Sequence, residues 1–218
     1  MAWLADWYEL QSGRMSRKPV KPSKEKNRPF NDPNAKALLI SGAPGIGKTT
    51  TVRLLAALLG FDMLEMNASD TRNKASIEQM LTDLSQQALS IRSALIHKTS
   101  PAKEKKTLIL MDEVDGVGAG DRGGLSALLL ILKKTHVPIV LICNERGDRR
   151  IQSLLNHSYD VKFTRPTSKE IYKRVFMIAQ KERFTVPSQQ QLDQICESAG
   201  FDIRSVINSL QLLCSSSH

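Results

Sequence analysis

Gly42-Ala43-Pro44-Gly45-Ile46-Gly47-Lys48-Thr49 stands between the apolar run Ala37-Leu38-Leu39-Ile40 and a helical pattern over 50–59. A strand, a glycine-rich turn ending in Lys-Thr and a helix together make a phosphate-binding loop. The glycines let the backbone turn so tightly that successive N–H groups face one point, and the following helix adds its positive N-terminal end. Lys48 is expected to reach the β and γ phosphates of a nucleotide. Thr49 is expected to offer its hydroxyl to Mg²⁺, an ion that keeps most of its waters and takes few protein ligands. The cradle is expected to run from Gly42 through Ala43, Pro44, Gly45, Ile46, Gly47, Lys48 and Thr49 to Thr50.

Outward from that loop, short apolar runs at 37–40, 61–66, 107–111, 137–143 and 159–163 read as strands, separated by helical stretches or loops. Strands alternating with helices predict an α/β fold, a five-stranded parallel sheet between helices. Between the second and third runs, Ile77, Leu81, Leu84, Ala88, Ile91 and Leu95 recur at helical spacing and predict one long helix, followed by a polar loop at 99–106. After Pro166 the strands stop, and helices are predicted at 168–181, 187–198 and 202–213. The expected organisation is an N-terminal helix and basic linker (1–31), a nucleotide-binding α/β domain (32–165) and a small all-helical lid (166–218).

The 218 residues, 41% of them hydrophobic, are enough for one domain with a buried core and a small appendage. No apolar run reaches the length of a membrane span, and the N-terminus lacks the shape of a secretory signal, so a soluble intracellular protein with no membrane partner is expected. Cys143, Cys196 and Cys214 are odd in number and far apart, which argues against a disulfide framework or a zinc site. Of the net charge of +9, six units lie between Gln11 and Arg28, where seven basic residues face only Glu25. With Pro19, Pro22 and Pro29 that stretch is a solvated linker whose charge suits phosphate attraction, nuclear import or solubility. It carries no aromatic residue, so any nucleic-acid contact there would go to backbone phosphates.

The second chemical constellation is Leu108-Ile109-Leu110-Met111-Asp112-Glu113-Val114-Asp115. A strand that ends in Asp-Glu delivers two carboxylates to the carboxyl edge of the sheet, where the phosphate loop also belongs. Asp112 is expected in the Mg²⁺ shell. Glu113 is expected to orient and deprotonate the water that attacks the γ-phosphate. A neighbouring strand ends at Cys143-Asn144, which would aim Asn144 at the γ-phosphate or the water. Arg204 lies on the last predicted helix and, alone, reads as a surface arginine.

These residues resemble the AAA+ ATPases and, within them, the replication factor C large-subunit family of clamp loaders. The strings that carry the resemblance are Asn67-Ala68-Ser69-Asp70, Met111-Asp112-Glu113-Val114-Asp115-Gly116, Gly120-Asp121-Arg122-Gly123-Gly124, Ile142-Cys143-Asn144-Glu145-Arg146 and Asp202-Ile203-Arg204, and it runs from about Lys36 to Leu213. It implies an ATPase that uses ATP and Mg²⁺, with Asn144 as first sensor of the γ-phosphate and Arg204 as second, moving with the lid. It also implies a hetero-pentamer with clamp-loader small subunits, a sliding clamp, primer-template DNA, a role in replication and repair, and a nuclear location. Arg72, Lys74 and Arg122, at or near helix starts, are the expected contacts to DNA phosphates.

Two departures from the family pattern refine this. Small subunits carry a Ser-Arg-Cys string before the last strand, whose arginine completes a neighbour's ATP site, whereas Asn156-His157-Ser158 stands here. His157 cannot replace a permanently charged, forked guanidinium, so the chain is expected to receive an arginine finger rather than give one. The paired aromatics that meet the clamp in the family are replaced by Ala94 and Leu95, which predicts a weaker or displaced clamp contact. Family large subunits also have an N-terminal extension and a helical collar, so a fragment or short member is expected. The competing readings are a nucleotide-binding scaffold without hydrolysis and the motor of a related checkpoint or cohesion loader. The Trp3, Trp7 and Tyr8 helix is a further candidate for the adenine pocket.

Overall fold

Five strands form one sheet in the order β2-β3-β4-β1-β5, comprising β1 (Ala37–Ser41), β2 (Phe61–Asn67), β3 (Lys106–Asp112), β4 (Ile139–Cys143) and β5 (Ser158–Lys162). The computed structural model describes residues 3–5, 7, 35–68, 106–116, 122–135, 137–184 and 187–215. Helix α1 (Lys48–Leu59) follows β1, α2 (Arg122–Lys134) follows β3, and α3 (Arg149–Leu155) follows β4; α4 (Ser168–Glu182), α5 (Gln189–Ser198) and α6 (Ile203–Ser215) follow β5. The long helix predicted around Ile77–Leu95 and nearly all of the 99–106 loop lie outside the described residues. Lys106 is the exception: it opens β3 opposite Phe61 rather than ending a loop.

The central strands carry almost unbroken apolar sequence because both of their faces are covered. Every residue of β4 is buried, as are four of the five in β1. Such runs of Ile, Leu and Val are what a parallel sheet sandwiched by helices requires. Leu39, Leu128, Leu132, Leu141 and Leu154 are fully enclosed in one cluster that joins β1 and β4 to α2 and α3. Replacing Leu128 with Ala should lower unfolding stability by about 2–5 kcal/mol, read from urea denaturation, because the surrounding sheet and helix relax only partly into the cavity.

Element ends follow local chemistry. The apolar run at 137–143 yields a strand only from Ile139, since Pro138 has no N–H to give; its carbonyl accepts from Ile109 N at 3.0 Å. The helix predicted from Pro187 begins at Gln189 because Ser188 is its cap, in a box shared with Gln191. Thr167 and Glu170 form the same box at the start of α4.

Asp148 caps α3 through Arg150 N at 2.8 Å and also grips the Arg150 guanidinium. The Arg150 side chain, helped by that N–H, holds the Asp148 carboxyl down at about 2, against an ordinary 3.8. A lowered pKa stabilises the fold above the ordinary value, and the contribution is lost as pH falls toward 2. The stability difference between the wild type and Asp148→Asn should therefore be full at pH 5 and shrink toward pH 2, as followed by thermal unfolding at stepped pH.

Compactness divides the chain into two units. One comprises Met1–Ser41 and Thr49–Val161; the other comprises Gly42–Lys48 and Lys162–His218. In the second, Ile171, Val175, Leu192, Cys196, Val206 and Leu210 form a core of their own at the helical spacing expected from sequence. Burial pushes the Cys196 thiol upward and makes it a core residue rather than a nucleophile. Cys143 is likewise a buried free thiol.

Candidate nucleotide site

The sheet register aligns the residues that matter. Asn67 pairs with Asp112, Met111 with Leu141, and Cys143 with Ser41, so the carboxyl ends of β2, β3, β4 and β1 come to one edge. Ligands of open parallel sheets bind outside that edge.

In the sheet unit, the Thr49 hydroxyl donates to Asp112 Oδ2 at 2.6 Å. This contact joins the first turn of α1 to the end of β3. The proton points at the carboxylate, which leaves the Thr49 oxygen lone pairs for a metal. Both donors are hard oxygens. Mg²⁺ typically takes only one or two protein oxygens beside phosphates and water, so this small set fits it. Among the described residues no larger group of three His, Cys, Asp or Glu side chains could hold a metal.

Glu113 follows in a left-handed backbone conformation, with φ 56°. A non-glycine residue there costs about 1–3 kcal/mol and persists only where its surroundings enforce it. Here the Glu113 N–H donates to Asp112 Oδ1 at 2.9 Å, which turns the two carboxylates apart. The exposed Glu113 side chain accepts from Asn67 Nδ2 at 3.1 Å. The turn thereby separates the two acids: Asp112 faces Thr49 while Glu113 swings to the β2 side.

Asn144 is exposed just past β4. Its N–H and that of Glu145 both donate to Asp115 Oδ2, at 3.0 and 3.2 Å. Asp115 thus ties the short turn after β3 to the end of β4. Asn67 and Asp115 are the residues whose roles sequence reading missed. Both stood in the family-like strings, yet nothing in their spacing shows that one holds Glu113 and the other holds the Asn144 backbone across strands.

In the other unit, the phosphate loop wraps the lysine. Lys48 is 6% exposed and its Nζ donates to Gly42 O and Ala43 O, each at 2.8 Å. Gly45 and Gly47 have φ of 68° and 91°, left-handed conformations that glycine adopts without penalty. Ile46 is buried, Ala43 and Gly42 half-buried, and Pro44 exposed; Thr50, which belongs to the sheet unit, is exposed as well. Arg204, in the first turn of α6, is exposed.

The remaining expectations fall elsewhere. Arg72 and Lys74 lie outside the described residues, as do Ala94 and Leu95, and Arg122 opens α2. The basic stretch 11–28 and Tyr8 are also outside them. Trp3 and Trp7 are buried, and the Trp3 indole donates to Ala35 O at 3.2 Å, before β1 and away from its Ser41 end. No helix among the described residues is long and apolar enough to cross a membrane.

Comparison with known proteins places the chain in a family. Replication factor C subunit 1 of Drosophila melanogaster is 39% identical over 217 residues, covering 98% of this chain and 21% of that protein. That of Arabidopsis thaliana is 36% identical and covers 97% and 22%. The replication factor C large subunit of Nanoarchaeum equitans is 36% identical over 182 residues, covering 83% and 39%. The chain therefore spans about a fifth of the length of the eukaryotic relatives. Among solved structures, the Thermotoga maritima RuvB Holliday junction branch migration motor matches with a TM-score of 0.57 at 14% identity, covering 79% of this chain and 52% of that one, a likeness of fold. Residues 38–167 match the model of the ATPase family associated with various cellular activities. With its phosphate loop, Asp-Glu strand end and five-stranded sheet, the chain belongs to that AAA ATPase family.

Proposed function

We propose that this chain is the ATPase module of a clamp-loader large subunit, binding Mg-ATP and hydrolysing it when a neighbouring subunit lends an arginine. The observation that carries the reading is the 2.6 Å bond from Thr49 to Asp112, with Glu113 turned away beside it. Loop amides and Lys48 would take the phosphates, and Thr49 and Asp112 would hold a Mg²⁺ ion that would supply charge neutralisation on the phosphate oxygens. Glu113 accepts the proton of the attacking water. Asn144, held by Asp115, orients that water or the γ-phosphate, and Arg204 senses the γ-phosphate from α6. Titrating Mg-ADP into the wild type and into Lys48→Ala tests the core of this: tight binding by the first and a large loss in the second support it, and equal binding sinks it.

The clamp-loader assignment is supported by relatives at 34–39% identity named for replication factor C. Their name also favours it over a checkpoint or cohesion loader. Small subunits in a hetero-pentamer, a sliding clamp and primer-template DNA are the proposed partners, in replication and repair, with the nucleus the proposed location. Pull-down with candidate small subunits in the presence and absence of ATP distinguishes the loader complexes.

Contact with DNA is proposed through Arg72, Lys74 and Arg122 to backbone phosphates, with no base readout. Each change to Ala should reduce the slope of log affinity against log salt by about one in the assembled complex. An unaltered slope removes that residue from the interface.

A further inference from the structure

Asp202 and Gly45 occupy one space. A Cβ added at Gly45 would lie 1.8 Å from Asp202 Oδ1 and 2.0 Å from its Cγ, so the carboxylate rests directly on the bare face of the loop glycine. Two further bonds fix the pair. The Ile203 N–H donates to Gly45 O at 3.1 Å, and the Ser205 N–H donates to Asp202 Oδ1 at 3.1 Å. Asp202 O also accepts from Val206 N at 3.0 Å, which makes Asp202 the residue that opens α6. The first turn of α6 is thus bonded to the apex of the phosphate loop, and Arg204 lies in that same turn.

We propose that Asp202 is a positioning residue: it clamps the apex of the phosphate loop to the helix that carries Arg204, and Gly45 is a glycine because that carboxylate fills the place of a side chain. The inference rests on the nucleotide reading above. The carboxylate cannot swing aside freely, since leaving Gly45 means releasing the Ser205 N–H, an orphan donor at a helix start. Movement of α6 therefore moves the loop apex, and a ligand that sets the loop also sets the position of Arg204.

The test is second-site rescue in the full chain, read as affinity for Mg-ADP and for a Mg-bound non-hydrolysable ATP analogue, with thermal unfolding as a folding check. Gly45→Ala should weaken Mg-ADP binding by at least 30-fold. Adding Asp202→Ser keeps a capping oxygen but removes the bulk over residue 45, and should restore binding to within about 10-fold of wild type. Asp202→Asn keeps the bulk and should restore nothing. Rescue by both substitutions or by neither overturns the proposal, because a penalty from the φ of residue 45 alone is indifferent to residue 202. Asp202→Ser on its own should leave Mg-ADP affinity within about 3-fold and reduce the preference for the triphosphate analogue. An unchanged preference overturns the clamp. Failure of the wild type to bind either nucleotide would instead refute the nucleotide reading itself.

Discussion

Saturating Mg-ATP should be turned over slowly by the isolated chain and about 10³- to 10⁵-fold faster once a partner subunit presents an arginine to the site. The expectation rests on a proposed shortage of fixed positive charge at the γ-phosphate. Phosphoryl transfer spreads charge over the γ-phosphate oxygens, and catalysis consists almost wholly of placing cations and donors against it. The chain offers Lys48, whose Nζ is held by the carbonyls of Gly42 and Ala43, and Arg204 on α6. The place where family small subunits carry their arginine holds His157, exposed just before β5, its N–H on Leu154 O at 3.0 Å. An imidazole is neither permanently charged nor forked, so on the proposed mechanism a second copy of this chain is not expected to supply the arginine. Phosphate release should stay low at every concentration of the chain alone and rise with small subunits. The rise should vanish when the arginine of their Ser-Arg-Cys string is changed to Ala. Equal turnover alone and in complex would remove the proposed division of labour.

What sequence could reveal follows from the range over which each signal acts. The phosphate loop, the Asp-Glu strand end and all five strands are written in contiguous residues: a glycine pattern, an apolar run, a terminal carboxylate. The strand positions held to within one or two residues because runs such as Ile139–Cys143 are buried on both faces and carry no polar interruption. Boundaries shifted where one residue's hydrogen-bonding capacity decided the outcome, as at Pro138, which lacks an N–H, and Ser188, whose hydroxyl caps α5. The cross-strand support of the site was not legible. Asn67 meets Glu113 across 46 positions of sequence and Asp115 meets Asn144 across 29, and no spacing rule encodes such pairings. The αL conformation at Glu113 was equally hidden, because glutamate shows no preference for it and only the surrounding bonds impose it. In the sequence, Gly45 signals conformational freedom for the loop. Its second reason, an aspartate 157 positions later in the same space, needed coordinates.

Glu113→Gln is expected to lower single-turnover hydrolysis in the assembled complex by about 10²- to 10⁴-fold while leaving nucleotide affinity nearly unchanged. The substitution is nearly isosteric. The amide oxygen of glutamine can still accept from Asn67 Nδ2, and the backbone N–H of residue 113 still bonds Asp112 Oδ1, so the turn keeps its shape. On the proposed mechanism, what the amide cannot do is take a proton from the attacking water. Asp112→Asn should behave differently. It removes a charge from the Thr49–Asp112 pair, so its main effect should fall on the Mg²⁺ dependence of nucleotide binding, with hydrolysis falling as a consequence. The contrast separates the two carboxylates by role, and it separates an ATPase from a scaffold. A protein that binds nucleotide for structure alone would lose affinity with Asp112→Asn and be indifferent to Glu113→Gln. The geometry suits the first outcome: the left-handed turn at Glu113 carries its carboxylate to Asn67 and away from the Thr49–Asp112 pair, so a change at residue 113 should leave the cation pair intact.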